Sequence, residues 1–211
     1  MATTQNIIDT FELLVDDTTE LSSDEELALA EKIYRKILGN RPWEFLKKEY
    51  SGTTAGTTTM TLPSDFGYLA DNYGYTDNTI ETVQRSRPCV VFVGTAYTPY
   101  RVVNWSDRRQ YRTDSGVCWI DIANGNLVFA VAPATGQTVS FDYIYNPTAL
   151  ALGTSPVFPS AYHDMIAYGM AVDDMGMQIF DKNKSYAREN EARYNSYMAD
   201  LAYYNSNLLM N

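Results

Sequence analysis

Histidine and cysteine are scarce in this chain of 211 residues, which contains one His and two Cys. His163, Cys89 and Cys118 are too few and too scattered to form a zinc site. Neither cysteine has an apparent base, and the G-x-S-x-G, G-x-x-x-x-G-K-[ST], G-x-G-x-x-G and H-E-x-x-H motifs do not occur. We therefore predict no catalytic, metal or cofactor site. His163 is interpreted as a surface or capping group, and the cysteines as buried free thiols.

Membrane and export signals are missing as well. No apolar segment approaches the ~20 residues of a membrane span, and the N-terminus does not resemble a secretory signal. Basic residues are in the minority, since 16 Lys and Arg against 26 Asp and Glu give a net charge of −10. Because DNA affinity comes from Lys and Arg that neutralise phosphates, we do not expect this chain to grip a phosphate backbone. A path along which DNA slides without sticking stays open. We expect a soluble protein that is made in a cytoplasm.

Carboxylate pairs are present, and two carboxylates suffice for glycoside hydrolysis. Asp16-Asp17 and Asp173-Asp174 are neighbours in sequence. On a helix, adjacent side chains point about 100° apart, so neither pair converges by itself. We interpret both pairs as solvated faces and predict that the protein is not an enzyme.

Two amphipathic helices are predicted at the N-terminal end. Apolar residues recur at helical spacing over residues 5–16. Ser22 and Ser23 are each followed three residues later by a glutamate, which is the capping-box pattern. The second helix is therefore predicted to begin at Asp24 and to end with Gly39 as its C′ residue.

A helical hairpin is predicted at the C-terminal end. Residues 159–180 carry an apolar stripe that is interrupted by Gly169 and Gly176. A glycine inside a helix costs about 1 kcal/mol against alanine, so we expect a packing reason: the missing Cβ lets another helix approach closely. The partner is predicted from a second stripe, which runs from Tyr194 to Leu208.

The middle of the chain, residues 88–146, is predicted to be β-rich. Asn124-Gly125 between two apolar runs is a strong hairpin signal. Residues 138–145 alternate as a strand with one preferred face does, whereas residues 67–80 are rich in Gly, Asn and Asp and are predicted as an exposed loop. Residues 105–112 are predicted as a helical turn or a loop.

These patterns predict an α+β protein. Residues 1–49 and 156–211 are expected to build an α-helical bundle that forms one domain. Residues 50–155 are expected to form an inserted antiparallel β-rich domain.

Two groups of residues are candidates for an interface with another protein or with another subunit. The first is a set of arginines within twelve residues, whose forked side chains engage carboxylates bidentately: Arg101, Arg108, Arg109 and Arg112. A solvated loop is the alternative interpretation of these arginines. The second is the uncharged C-terminal segment 203–211, which we expect to be mobile in the free protein. Its candidate contact residues are Tyr203, Tyr204, Leu208, Leu209 and Met210.

Three short motifs in this layout resemble one family. WEFL at 43–46, LPSDF at 62–66 and PVFPSAYHDMIAYGMA at 156–171 resemble the head–tail adaptors of tailed bacteriophages. The nearest form is the tail tubular protein A, or gatekeeper-adaptor, type of short-tailed phages. The resemblance implies a structural virion protein that docks as a dodecameric ring under the portal protein. It also implies that DNA passes through the ring on ejection and that the next tail or nozzle protein attaches to it.

Two other functions stay open at this point. Aromatic-rich strands and loops would also suit a tail component that binds or cleaves host carbohydrate. Another ring-forming virion or capsid-accessory protein would share the structural role and differ in the neighbour that it binds.

Overall fold

The structure is a computed structural model that describes residues 2–15, 21–70, 90–173 and 183–208. The chain divides into two compact units. Met1–Phe45 and Pro147–Asn211 together make the first, which we call the helical unit, and Leu46–Asn146 make the second, the β unit. The mixture of helices and strands confirms the predicted α+β class.

Two helices begin the helical unit, as predicted: α1 spans Thr4–Val15 and α2 spans Ser23–Leu38. The capping box is present, because the backbone N–H and the hydroxyl of Ser22 both donate to Glu25 Oε2, at 2.9 and 2.7 Å. The end of α2 differs from the prediction in one respect. Gly39 has a φ of −79°, so it caps the helix without the left-handed conformation that a glycine at C′ usually supplies.

The predicted helix over 159–180 is shorter in the structure. A 3₁₀ turn at Ser160–Tyr162 leads into α3, which spans Asp164–Val172. Asp173 is extended, with a ψ of 150°, and its carboxylate binds Lys32 Nζ on α2 at 2.8 Å. The helix therefore ends where this side chain turns toward α2. Gly176 lies outside the described residues.

The last helix, α4, spans Asn183–Leu208 and packs against α3. Gly169 of α3 lies between two other helices: a Cβ built there would be 2.5 Å from Ile33 Cγ2 of α2 and 3.0 Å from Tyr194 Cε2 of α4. The expected close approach at Gly169 is thus present. The N–H of Thr4 in α1 donates to the carbonyl oxygen of Thr154 at 2.7 Å, which joins the two sequence segments of the helical unit.

His163 is buried, so its prediction as a surface group is wrong. It lies at the N-cap position of α3, although its side chain makes no capping hydrogen bond. Its side chain is 2% exposed. Nδ1 lies 3.1 Å from the carbonyl oxygen of Ala2, and Nε2 lies 2.9 Å from that of Phe158. The imidazole therefore links the start of the chain to the turn before α3, an arrangement with no local sequence signal.

The described part of the β unit forms an eight-stranded sheet in the order β1-β8-β4-β5-β6-β7-β2, with β3 also paired to β8. The strands are β1 (Lys47–Thr53), β2 (Thr59–Thr61), β3 (Phe66–Leu69), β4 (Val90–Val93), β5 (Thr98–Val102), β6 (Val117–Asp121), β7 (Asn126–Phe129) and β8 (Thr138–Tyr145). The Asn-Gly hairpin between β6 and β7 is confirmed, with Gly125 at a φ of 64°. The β8 strand is confirmed as well, and Val139, Phe141 and Tyr143 lie in the core. Cys118 is a buried free thiol, as predicted, and Cys89 lies outside the described residues.

Two parts of the sheet correct the sequence predictions. The sheet was expected to be antiparallel, but β5 and β6 pair in parallel. Residues 103–116 between them are long enough for the crossover that parallel strands need. Part of the predicted loop 67–80 belongs to β3, because Phe66 packs on Phe141 and Tyr143 of β8, with ring centroids 6.3 and 5.7 Å apart. Residues 71–80 lie outside the described part.

Candidate interaction surfaces

The described residues contain no constellation that suggests catalysis or metal binding. No group of three or more His, Cys, Asp or Glu side chains among them is placed to hold a metal ion. In the same part of the chain, no helix has both the length and the apolar character that crossing a membrane requires.

The predicted arginines lie on β5 and on the connection from β5 to β6. The connection is fastened at both ends, because the N–H of Arg101 donates to the carbonyl oxygen of Gly116 at 2.8 Å and the N–H of Val103 donates to that of Cys118 at 2.9 Å. Cys118 is fully buried in β6, so the connection starts and ends on the rigid core. We call the exposed part of it the arginine surface, made of Arg101, Trp105, Arg108, Arg109, Tyr111 and Arg112.

Two guanidinium groups of the arginine surface lie over aromatic rings. Arg108 Cζ is 3.6 Å from the ring centroid of Trp105, and its Nη1 donates to the Trp105 carbonyl oxygen. Arg101 Cζ is 4.6 Å from the ring centroid of Tyr111. Such cation–π contacts hold the guanidinium over the ring, and its N–H groups can still bind a carboxylate. None of the four arginines forms an ion pair with a described carboxylate.

The C-terminal candidates lie on α4 rather than on a mobile tail. The helix runs through Leu208, so Tyr203, Tyr204 and Leu208 are helical, and the prediction of mobility from residue 203 is wrong for them. Tyr203 is 71% exposed. Tyr204 packs on Tyr162, with ring centroids 6.1 Å apart. Leu208 is 39% exposed, and Leu209 and Met210 lie outside the described residues.

The last turns of α4 are fastened to the helical unit by a buried amide. Asn205 is 5% exposed, and its Oδ1 accepts the backbone N–H of Glu44 at 2.6 Å. Leu201, one turn earlier, is fully buried. Removing residues 205–211 would therefore disturb the fold.

A groove of about 400 Å³ lies between the C-terminal end of α2 and α4. It is lined by Lys36, Asn40, Arg41, Tyr194, Asn195, Met198 and Ala199. Sequence reasoning missed this groove, because its two walls are more than 150 residues apart in the chain. It adds a half-apolar, basic recess to the exposed side of α4.

The N-terminal helices form an acidic surface that the sequence analysis also missed. Residues 1–31 contain nine Asp and Glu and no Lys, Arg or His. The pKa of Glu26 on α2 is raised to about 7, chiefly by burial and then by repulsion from Glu12, a hydrogen bond with Glu12 and repulsion from Asp9 on α1. Leu13 is 82% exposed and lies four residues after Asp9, on the same face of α1. We call Asp9, Glu12, Leu13 and Glu26 the acidic surface.

The chain that carries these surfaces resembles a known protein family. A family model described as SU10 adaptor protein matches residues 2–208. No curated protein matches the chain. The matched residues include both units and each of the surfaces described above.

Proposed function

From the fact that the chain belongs to the SU10 adaptor protein family, a family of structural head–tail adaptors of bacteriophages, we propose that it docks under the portal as a ring of copies. A member of this family is a structural component of the virion and not an enzyme. In the proposal the protein is of the tail tubular protein A type, and the ring is a dodecamer. The helical unit, Met1–Phe45 and Pro147–Asn211, is proposed to make the ring, and the β unit, Leu46–Asn146, is the β-rich insertion.

The observation that carries the proposal is the exposed surface of α4. The helix has 26 residues, which corresponds to about 39 Å. Among its described side chains, at 186–208, three are buried: Asn190, Leu201 and Asn205. Tyr186 and Tyr203 are 58% and 71% exposed. Tyrosine is enriched in protein interfaces, so a long helix with a narrow buried seam and exposed tyrosines is suited to neighbours outside its own chain.

The charge of the chain supports a role as a channel for DNA. Each copy carries a net charge of −10, and a ring multiplies that charge around its axis. A negative wall repels the phosphate backbone, so DNA passes through on ejection without being held. The lower side of the ring then offers the attachment platform for the next tail or nozzle protein.

The portal contact is proposed at the C-terminal end of α4, through Tyr203, Tyr204 and Leu208 together with Leu209 and Met210. Tyr203 is the most informative of these residues, because it is more exposed than Tyr204 and Leu208 and a change there leaves the buried anchor Asn205 in place.

The test is native mass spectrometry of the purified chain, alone and mixed with the portal ring of the phage that encodes it. One adaptor copy per portal subunit is the expected composition. A chain that stays monomeric in the presence of the portal would overturn the proposed function.

A matched pair of variants tests the site of portal contact. Tyr203→Asp is expected to abolish portal loading, whereas Tyr97→Asp, the same change at a 66% exposed tyrosine of the β unit, is expected to leave it intact. Equal loading by both variants would refute the assignment of the C-terminal end. Circular dichroism of both variants serves as the folding control.

The carbohydrate-binding alternative is less well supported by the geometry. Sugar stacking needs an open aromatic face, and one face of Trp105 is covered by the guanidinium of Arg108 at 3.6 Å. Binding on a glycan array, lost in Trp105→Ala, would favour this alternative over the adaptor.

A further inference from the structure

We propose that the arginine surface of one copy binds the acidic surface of the neighbouring copy, so that these two surfaces form the lateral contact of the ring. This inference rests on the proposed function, because it names the subunit interface of the proposed ring.

A ring of identical copies needs two different surfaces that complement each other. A head-to-tail contact uses one patch of each subunit against another patch of the next, and the contact closes into a ring when the rotation permits. The arginine surface and the acidic surface have opposite charge and lie in different units of the chain. The proposed contact therefore joins the β unit of one copy to the helical unit of the next.

The arginine surface is prepared for carboxylates. Arg101 lies over the ring of Tyr111, and Arg108 lies over the ring of Trp105. These contacts restrict both side chains in advance, so less conformational entropy is lost when the guanidinium groups bind. Residues 98–116 hold four arginines against two aspartates, within a chain whose net charge is −10. The exposed ring of Trp105 adds an apolar contact, as an interface centre requires.

The acidic surface lacks positive charge of its own. The first basic residue of the chain is Lys32, so every charged side chain of α1 and of the first half of α2 is a carboxylate. Glu26 is 6% exposed and faces Glu12; burial is the main cause that raises its pKa to about 7, and repulsion from Glu12 and Asp9 contributes to the rise. Guanidinium groups placed beside Asp9 and Glu12 would relieve this repulsion. The exposed Leu13 on the same face as Asp9 provides an apolar partner for an aromatic ring.

The net charge of the chain favours a second copy of the same chain as the partner of these two surfaces. Copies that each carry −10 repel one another, so a stable ring needs local attraction at its lateral contacts. The most basic exposed segment of the β unit and the most acidic segment of the helical unit provide that attraction.

The test reverses the charge of each surface separately. The first variant carries Arg108→Glu and Arg109→Glu, and the second carries Asp9→Lys and Glu12→Lys. A third chain carries all four substitutions, and a control chain carries Arg108→Lys and Arg109→Lys, which keep the positive charge. All are added to heads of the encoding phage that lack this protein, and the copies per particle are counted by quantitative mass spectrometry. Circular dichroism and urea unfolding confirm that each variant is folded.

The expected result is reciprocal rescue. Each reversed variant alone should load at least tenfold less than wild type. An equal mixture of the two should load both variants in equal amounts, because every contact in an alternating ring is then attractive. The chain with all four substitutions should load as wild type does, and the lysine control should load with a smaller loss than the glutamate variant.

Other results overturn the inference. Normal loading of both reversed variants would show that neither surface is used. Loss in the arginine variant alone would show that the arginine surface binds a different virion protein, and loss without rescue would show that the two surfaces do not meet. Failure of the wild-type chain to load would instead overturn the proposed function, and the inference with it.

Discussion

Gly169→Ala is the substitution that tests the helix packing most directly. The new Cβ would lie 2.5 Å from Ile33 Cγ2 and 3.0 Å from Tyr194 Cε2, on opposite neighbours of α3. Ile33 is 1% exposed, and a β-branched side chain on a helix has one strongly preferred rotamer, so Ile33 cannot rotate away. The helices must therefore move apart to accept one methyl group.

The magnitude follows from two opposing effects. Alanine is favoured over glycine inside a helix by about 1 kcal/mol. Overpacking a close-packed core costs about 1–3 kcal/mol, and contacts on two sides place this site in the upper part of that range. The clash outweighs the helix propensity, so we expect the free energy of unfolding to fall by about 1–2 kcal/mol.

The assay is urea unfolding followed by helical circular dichroism. Gly153→Ala is the matched control, because a Cβ there has no atom within 4 Å, and it should change the free energy of unfolding by less than about 0.5 kcal/mol. Adding Ile33→Leu to Gly169→Ala removes the branch at Cβ and should restore part of the loss. An unfolding midpoint of Gly169→Ala at or above that of wild type would refute the reasoning.

Three further predictions concern buried polar groups. Burial raises the pKa of Glu26 to about 7 from 4.5, so the stability it contributes is complete below pH 4.5 and is lost as the pH rises through 7. Glu26→Gln should remove this decline in a pH series of urea unfolding. Asn205→Ala leaves the N–H of Glu44 without its acceptor and should cost about 1–3 kcal/mol in the same assay. Burial raises the pKa of the Cys118 thiol to about 12, so in a Cys89→Ser chain a thiol reagent should react only after unfolding.

Local signals in the sequence predicted local structure well. The capping box at Ser22 and the Asn-Gly turn at Gly125 involve residues that are close in the chain, and both occur in the structure. The strand β8 was readable because Val139, Phe141 and Tyr143 on one face lie in the core. Its other face is not solvated as the alternation predicted, since Ser140 and Ile144 are buried as well. Gly169 was informative because a glycine inside a helix lowers the stability of the helix, so its presence predicted a close packing contact. The structure shows that contact, with two neighbouring helices.

Features that depend on distant residues could not be predicted. The carbonyl partner of His163 Nδ1 is more than 150 residues away in the chain, at Ala2. The β3 strand exists because Phe66 packs on β8, and β5 contains Pro99, which weakens the strand pattern. The acidic surface was missed because residues 1–50 as a whole contain 11 acidic and 6 basic residues, although all six bases follow residue 31.

The position of the arginines was easier to predict than their geometry. Arg101, Arg108, Arg109 and Arg112 are close in sequence, so their clustering was visible without a structure. The stacking of Arg101 on Tyr111 depends on the parallel return of β5 to β6 through a long connection, which no short pattern encodes.

The hydrogen bond from Thr4 to Thr154 has a consequence for synthesis on the ribosome. Its partners are 150 residues apart. At about 5–20 residues per second, the ribosome makes the intervening chain in about 8–30 s. The whole β unit, Leu46–Asn146, is synthesised in that interval. The apolar faces of α1 and α2 have no α3 to pack against until it ends. The β unit is therefore the first part of the nascent chain that can complete its core, and the helical unit closes only as translation ends.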